Sequence, residues 1–264
     1  VPGIQRVSGY PTASLAMQAS AASNFKAQQD LLTLIAVRQV IAIWMQLDQA
    51  AVRSSWPVLR VALAALIRDR FGMSARSAET YYAQARTAAG ITGPFDAAVV
   101  REPDQAVITA TLDSMGPYNL LAKIKAAQPV AQAMENTAVQ LSGAASRLIV
   151  SGARQAILTA VQQDQKAVGW MRVTSASPCS FCAMLASRGV TYRSEKSAAF
   201  SAHDHCMCTA QPVFSAQDAK ALADNDLYRQ WKQATAGHSG KDALNAWRRY
   251  WSSAHPDALG AKVA

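Results

Sequence analysis

The sequence predicts a mainly α-helical protein that carries one small α+β module, and three observations predict it. Apolar residues recur at helical spacing through most of the first 165 positions. Near Val168 the texture changes to short alternating runs with β-branched residues. All four cysteines, Cys179, Cys182, Cys206 and Cys208, fall within thirty positions, and two of the four histidines, His203 and His205, stand beside the second pair. Half of the 264 residues are hydrophobic and 16% are charged. That composition fills a core and excludes a charge-driven disordered chain.

Taken in order, Ala27 to Arg53 reads as a first helix, with Gln39, Gln46, Gln49 and Arg53 marking a narrow wet stripe. A second helix starts near Pro57, where a first turn tolerates proline. It places Leu59, Leu63, Leu66 and Ile67 on one face and stops at Gly72. Ser77 to Ala89 makes a third, ended by Gly90, and the stretch with Gly93, Pro94 and Pro103 is a loop. Helices resume at Pro117 and run to about Asp164, with Pro129 and Gly143 as expected breaks.

Val168–Thr174, Val190–Tyr192 and Ala210–Phe214 read as strands, and Cys179 to Ser187 as a short helix closed by Gly189. Ser215 and Ser239 each precede a carboxylate, Asp218 and Asp242, by three residues, which announces two further helices. In the second of these, Leu244, Trp247 and Trp251 share a side. The expected organisation is a helical region over 1–166, an α+β module over 167–214 and a helical basic tail over 215–264.

The chain carries 26 Lys and Arg against 17 Asp and Glu, a net charge of +9. Residues 166–264 hold 12 basic and 7 acidic side chains and are the more basic part. There Tyr228, Arg229, Trp231, Lys232, Trp247, Arg248, Arg249, Tyr250 and Trp251 interleave rings with cations. One reading is a surface for nucleic-acid phosphates or a protein groove, with Arg229, Trp231, Lys232, Trp247, Arg248, Arg249 and Trp251 as its residues. The other is a helix with a Trp core face and a solvated Arg face. The longest apolar run, Leu31 to Met45, is broken by Arg38 and Gln39 and falls short of a membrane span, so no membrane partner is expected. The opening residues do not read as an export signal, and synthesis in the cytoplasm is expected.

The cysteines and histidines spell C-x2-C, a gap, then H-x2-C-x-C. Each C-x2-C hook offers two thiolates from one turn, and a tetrahedral zinc takes four sulfur or nitrogen donors. Cys179, Cys182 and either Cys206 or Cys208 are the first candidates, with His203 as the nitrogen donor and His205 as a spare or outer group. Free thiols and a disulfide stand as alternatives, as does a redox C-x2-C, since Cys179 begins a helix. Pro178-Cys179-Ser-Phe-Cys182 also matches half of a zinc deaminase signature. The other half, H-x-E upstream, is missing, and without a carboxylate beside an open position the expected site is closed and structural. Phosphate-loop, dinucleotide, H-E-x2-H and G-x-S-x-G patterns are absent, so no catalytic residue is assigned and no enzyme is expected, with a zinc-dependent nuclease, motivated by the metal-like cluster alone, as the alternative.

Val168-Gly-Trp-Met-Arg-Val-Thr174, Pro178-Cys-Ser-Phe-Cys-Ala-Met-Leu-Ala-Ser-Arg-Gly189 and His203-Asp-His-Cys-Met-Cys208 leading to Pro212-Val-Phe214 closely resemble the MuF-like minor capsid, or head morphogenesis, proteins of tailed bacteriophages, especially those of actinobacterial hosts. The resemblance covers about a fifth of the chain. It implies a virion protein inside the head, associated with the portal protein and acting in assembly, genome packaging or ejection. The major capsid protein, a scaffold and genomic DNA are further partners it allows. The family's paired cysteines and H-x2-C-x-C ending fall on Cys179, Cys182, His203, Cys206 and Cys208.

Overall fold

A computed structural model describes residues 13–96, 100, 102–192, 200 and 202–256. Three long helices make its frame: α1 (Ala13–Trp44), α2 (Val52–Ala88) and α5 (Val130–Gln163). Phe25 stacks on Tyr81 and Trp44 meets Trp56 edge-on, so α1 and α2 run antiparallel. Ser74 lies against Ala153 and Tyr82 against Asp164, so α2 and α5 run parallel.

All three helices of the frame differ from the expected bounds. The first begins at Ala13 and ends at Trp44, short of Arg53. Asp48 accepts the Ala50 N–H (2.9 Å) and Leu47 tucks into the core, a side-chain turn that competes with helix continuation. Gly72 and Gly143 do not break their helices, and the two expected pieces at Pro57 and Ser77 form one helix, α2. The face of α2 around Gly72 is buried: Phe71, Ser74 and Ala75 all face the interior. Burial of that face outweighs the roughly 1 kcal/mol that an interior glycine costs.

Between α2 and α5 the chain makes α3 (Gln105–Asp113), a π turn at Ser114–Tyr118 and α4 (Asn119–Lys125). Helix therefore resumes twelve residues before Pro117, because Asp104 caps α3 by accepting the Ala106 N–H at 2.8 Å. Pro129 does separate α4 from α5. Trp56 donates to Asp113 (2.6 Å), which also pairs with Arg60 (3.0 Å), and these contacts tie the insert to α2.

Three strands follow, β1 (Gly169–Val173), β2 (Val190–Tyr192) and β3 (Thr209–Val213), each within a residue of its expected span. They form an antiparallel sheet in the order β2-β1-β3, with Trp170 opposite Pro212 and Arg172 opposite Ala210. α6 (Ser180–Ser187) lies between β1 and β2 in the chain. The change of texture at Val168 is no change of core: Phe25, Tyr82 and Ile157 from the long helices and Trp170, Ala210 and Phe214 from the sheet bury one another.

The tail holds three helices, one more than expected: α7 (Ala216–Ala223), α8 (Asp226–Ala234) and α9 (Gly240–Ala254). Ser215 caps α7 by accepting the Asp218 N–H, and Asn225 caps the unforeseen α8 by accepting the Tyr228 N–H. Ser239 stands at the cap of α9 without a side-chain cap bond.

Candidate metal centre

Two segments bring the cysteines together. Cys179 is the N-cap of α6, and its sulfur accepts the Cys182 N–H at 3.3 Å, which folds the first hook around the helix start. The second hook is the turn before β3, closed by the Cys206 N–H donating to the His203 carbonyl at 3.1 Å. Sheet pairing of β1 with β3 sets this turn beside α6.

The donor atoms form two overlapping triads, Cys179–Cys182–His203 and Cys182–Cys206–Cys208, each with its atoms within 4.8 Å of one another. Cys182 belongs to both. Its sulfur lies 3.5 Å from Cys206 Sγ and 3.7 Å from His203 Nε2, while Cys179 Sγ is 2.8 Å from His203 Nε2. His203 Nδ1 is 2.5 Å from the Asp204 carbonyl. That oxygen only accepts, so Nδ1 donates to it and Nε2 is the ring nitrogen that faces the sulfurs. Cys182, Cys206 and Cys208 are buried, Cys179 and His203 half-buried.

The thiols divide their protons as a crowded, buried cluster must. The hydrogen bond with Cys182, aided by His203, brings the Cys179 thiol down to about 4, and Cys182, bonded to Cys179 and Cys206, is pushed up. Cys206 is drawn down by its bonds with Cys182 and Cys208. At Cys208 the Cys182 bond lowers the thiol, but the Cys206 contact and burial outweigh it and push it up to about 11. The Cys179 contact lifts His203 to about 9. The cluster can hold a metal ion, whose charge would displace protons from its ligand groups.

Several partners of the cluster carry no motif in the sequence. Arg154 of α5, buried, donates to the carbonyls of Cys208 (2.9 Å) and Cys206 (2.6 Å). Arg172 of β1, also buried, brings Nη1 to 4.0 Å from Cys182 Sγ and lies 3.8 Å above the Phe200 ring, which stacks on Trp170. The signal for Arg172 was its parity: it shares a strand face with Trp170, where a charge needs a partner. Arg154 likewise sits within the apolar face of Val150, Ala153 and Ile157.

His205 is in neither triad. Its ring lies on α5 at Gly143, where an added Cβ would come within 2.3 Å of Nε2, and its N–H donates to the Gly143 carbonyl at 3.2 Å. Gly143, expected as a helix break, is the seat of this histidine. Asp204 pairs with Arg147 of α5 at 2.7 Å, and among the described residues no carboxylate joins the donor groups.

The tail residues divide between two environments. Trp247 and Trp251 are buried against α6, and their N–H groups donate to the carbonyls of Ser180 (2.7 Å) and Pro178 (2.9 Å). Trp231 packs on Trp247 with ring centroids 5.3 Å apart. The expectation that Trp247 and Trp251 grip DNA or a partner is therefore corrected: their faces are spent on the core, because α9 needs an apolar stripe to dock. Arg229, Lys232, Arg248 and Arg249 are exposed, with Arg229 paired to Asp224 (3.2 Å) and Asp226.

Fold and site together define a helical protein in which a small three-stranded module carries a buried cysteine–histidine knot between α5 and the tail. The pattern of the VG15 protein family matches residues 16–234, most of the chain including the whole knot, and the protein belongs to that family. It is a family of viral gene products, and the chain is phage-encoded. No curated protein and no solved structure matches it. Among the described residues no helix is long and apolar enough to cross a membrane.

Proposed function

We propose that the protein is a structural, non-enzymatic minor head protein of a tailed phage, held inside the head near the portal, with a zinc ion as the staple of its central module. The observation that carries the structural role is where the knot sits. Arg154 binds its second hook to α5, and Trp247 and Trp251 bind the start of its first hook to α9, so one ion fixes three parts of the chain. The donor set of thiolates and an imidazole suits zinc, whereas calcium and magnesium take oxygen ligands. Support for a stapling ion comes from the surroundings: the sulfurs are largely buried, and the neighbouring Asp204 is engaged with Arg147.

Support for the head assignment comes from the phage family together with the resemblance of Val168–Phe214 to MuF-like proteins. Work in assembly, packaging or ejection follows from that resemblance. The test is density of the assembled particle: the reading expects the chain in few copies at one vertex, and an even distribution over the capsid defeats it. Metal analysis of the purified protein tests the staple, with one zinc per chain expected.

The exposed cations of α8 and α9 favour one second reading, sequence-independent contact with genomic DNA. Its measure is affinity that falls steeply with salt and is weakened in an Arg248→Ala, Arg249→Ala variant.

A further inference from the structure

We propose that the ion takes its four ligands from two matching hooks, Cys179 with Cys182 and His203 with Cys206, and that Cys208 stays outside the shell as a thiol packed behind them. The assignment rests on the reading that the cluster binds zinc, and it selects four donors from five. A tetrahedral zinc separates two sulfur ligands by about 3.8 Å and a sulfur from a nitrogen by about 3.6 Å. Cys182 Sγ already stands at 3.5 Å from Cys206 Sγ and 3.7 Å from His203 Nε2, two edges of that tetrahedron. The 2.8 Å between Cys179 and His203 is an edge an ion must open, and Cys206, outside the triad of Cys179, Cys182 and His203, is a donor it must draw in; Cys179 and His203 are half-buried at the rim, where a side chain has room to move.

The backbone supports the pairing. Both hooks have two residues between donors and both are closed by an N–H of the second donor residue, Cys182 to the Cys179 sulfur and Cys206 to the His203 carbonyl. The Nδ1–H bond of His203 to the Asp204 carbonyl fixes the tautomer that ligates through Nε2. Cys208 belongs to a different local structure. It directly precedes β3, whose first residue Thr209 pairs with Val173, so it cannot swing toward the rim without unpairing the strand start.

Cobalt(II) bound to the full chain reports the shell, because each thiolate ligand adds sulfur-to-metal charge-transfer absorption. Cys208→Ser is expected to bind one equivalent with unchanged charge-transfer intensity, since it alters no ligand, and to lose no more than the roughly 10–100-fold in zinc affinity of an outer contact. Cys206→Ser is expected to lose about a third of the charge-transfer intensity and at least about 100-fold in affinity, as one of three thiolates leaves. His203→Cys, which keeps four donors and so does not depend on a variant with a missing ligand, is expected to gain about a third in intensity. Loss of intensity in Cys208→Ser, or an unchanged spectrum in His203→Cys, overturns the ligand set while leaving metal binding in place. A parent chain that binds no cobalt or zinc overturns both the set and the reading beneath it.

Discussion

Gly152 shows how much of this fold depends on single side chains. A Cβ there would meet the Phe71 carbonyl oxygen at 2.4 Å, and that atom belongs to the backbone of α2. Gly152→Ala is therefore expected to cost about 1–3 kcal/mol, read as a lower urea midpoint with an unchanged slope. At Gly143 the obstacle is the His205 ring, which a small shift can relieve, so Gly143→Ala should disturb the turn at 203–206 more than global stability. Asp164 is the residue-scale anchor at the far end of α5. It is buried and accepts from Arg86 Nε (2.8 Å) and Tyr82 Oη (3.1 Å), with its other oxygen taking the Lys166 N–H. Replacing one member of a buried pair strands the other, and Asp164→Leu is expected to lose about 3–5 kcal/mol in the same urea titration.

Among the elements, α5 is the one that joins the frame, the insert and the sheet. It packs on α1 and α2, meets the sheet through Ile157 and Val161, and holds the second hook by Arg147 and Arg154. Arg154→Met removes two charged hydrogen bonds to the hook carbonyls while keeping most of the side-chain volume. Zinc affinity is expected to fall about 10–100-fold, as for other outer contacts of a metal site, measured by competition with a chromogenic chelator. An unchanged affinity would mean that the hook holds its shape without α5. On the opposite side, Trp251→Phe keeps the ring against α6 and deletes the bond to the Pro178 carbonyl, with an expected loss of about 1 kcal/mol in thermal or urea unfolding.

At the scale of the whole molecule the knot joins the long-helix frame to the tail, so its ion should act on parts far apart in sequence. Removing metal with a chelator is expected to lower the melting temperature and to change the emission of Trp247 and Trp251, which contact the start of α6. If emission and melting temperature both hold after the zinc is gone, the ion is no staple. Acidification should release the metal as well, because the ligands bind only when deprotonated.

The sequence by itself determined the helical class, the three short strands, the helix that starts at Cys179 and the five cysteine and histidine residues of the cluster that could hold a metal ion. Each is a local matter: β-branched alternation, a helix start that a side chain can cap, and donor spacing within a few residues need no distant contact to be recognised. Helix ends were legible where a local group enforces them, as at Pro129 and Ser215, and not at Gly72 and Gly143, where burial of the helix face beside the glycine carries the helix through. Tertiary structure alone decided that the frame and the module share one core, that Arg154 and Arg172 stand beside the sulfurs, and that the tail tryptophans are interior. Those facts turn on which surfaces meet when residues tens or hundreds of positions apart are packed together, and the periodicity of one segment does not specify its partner.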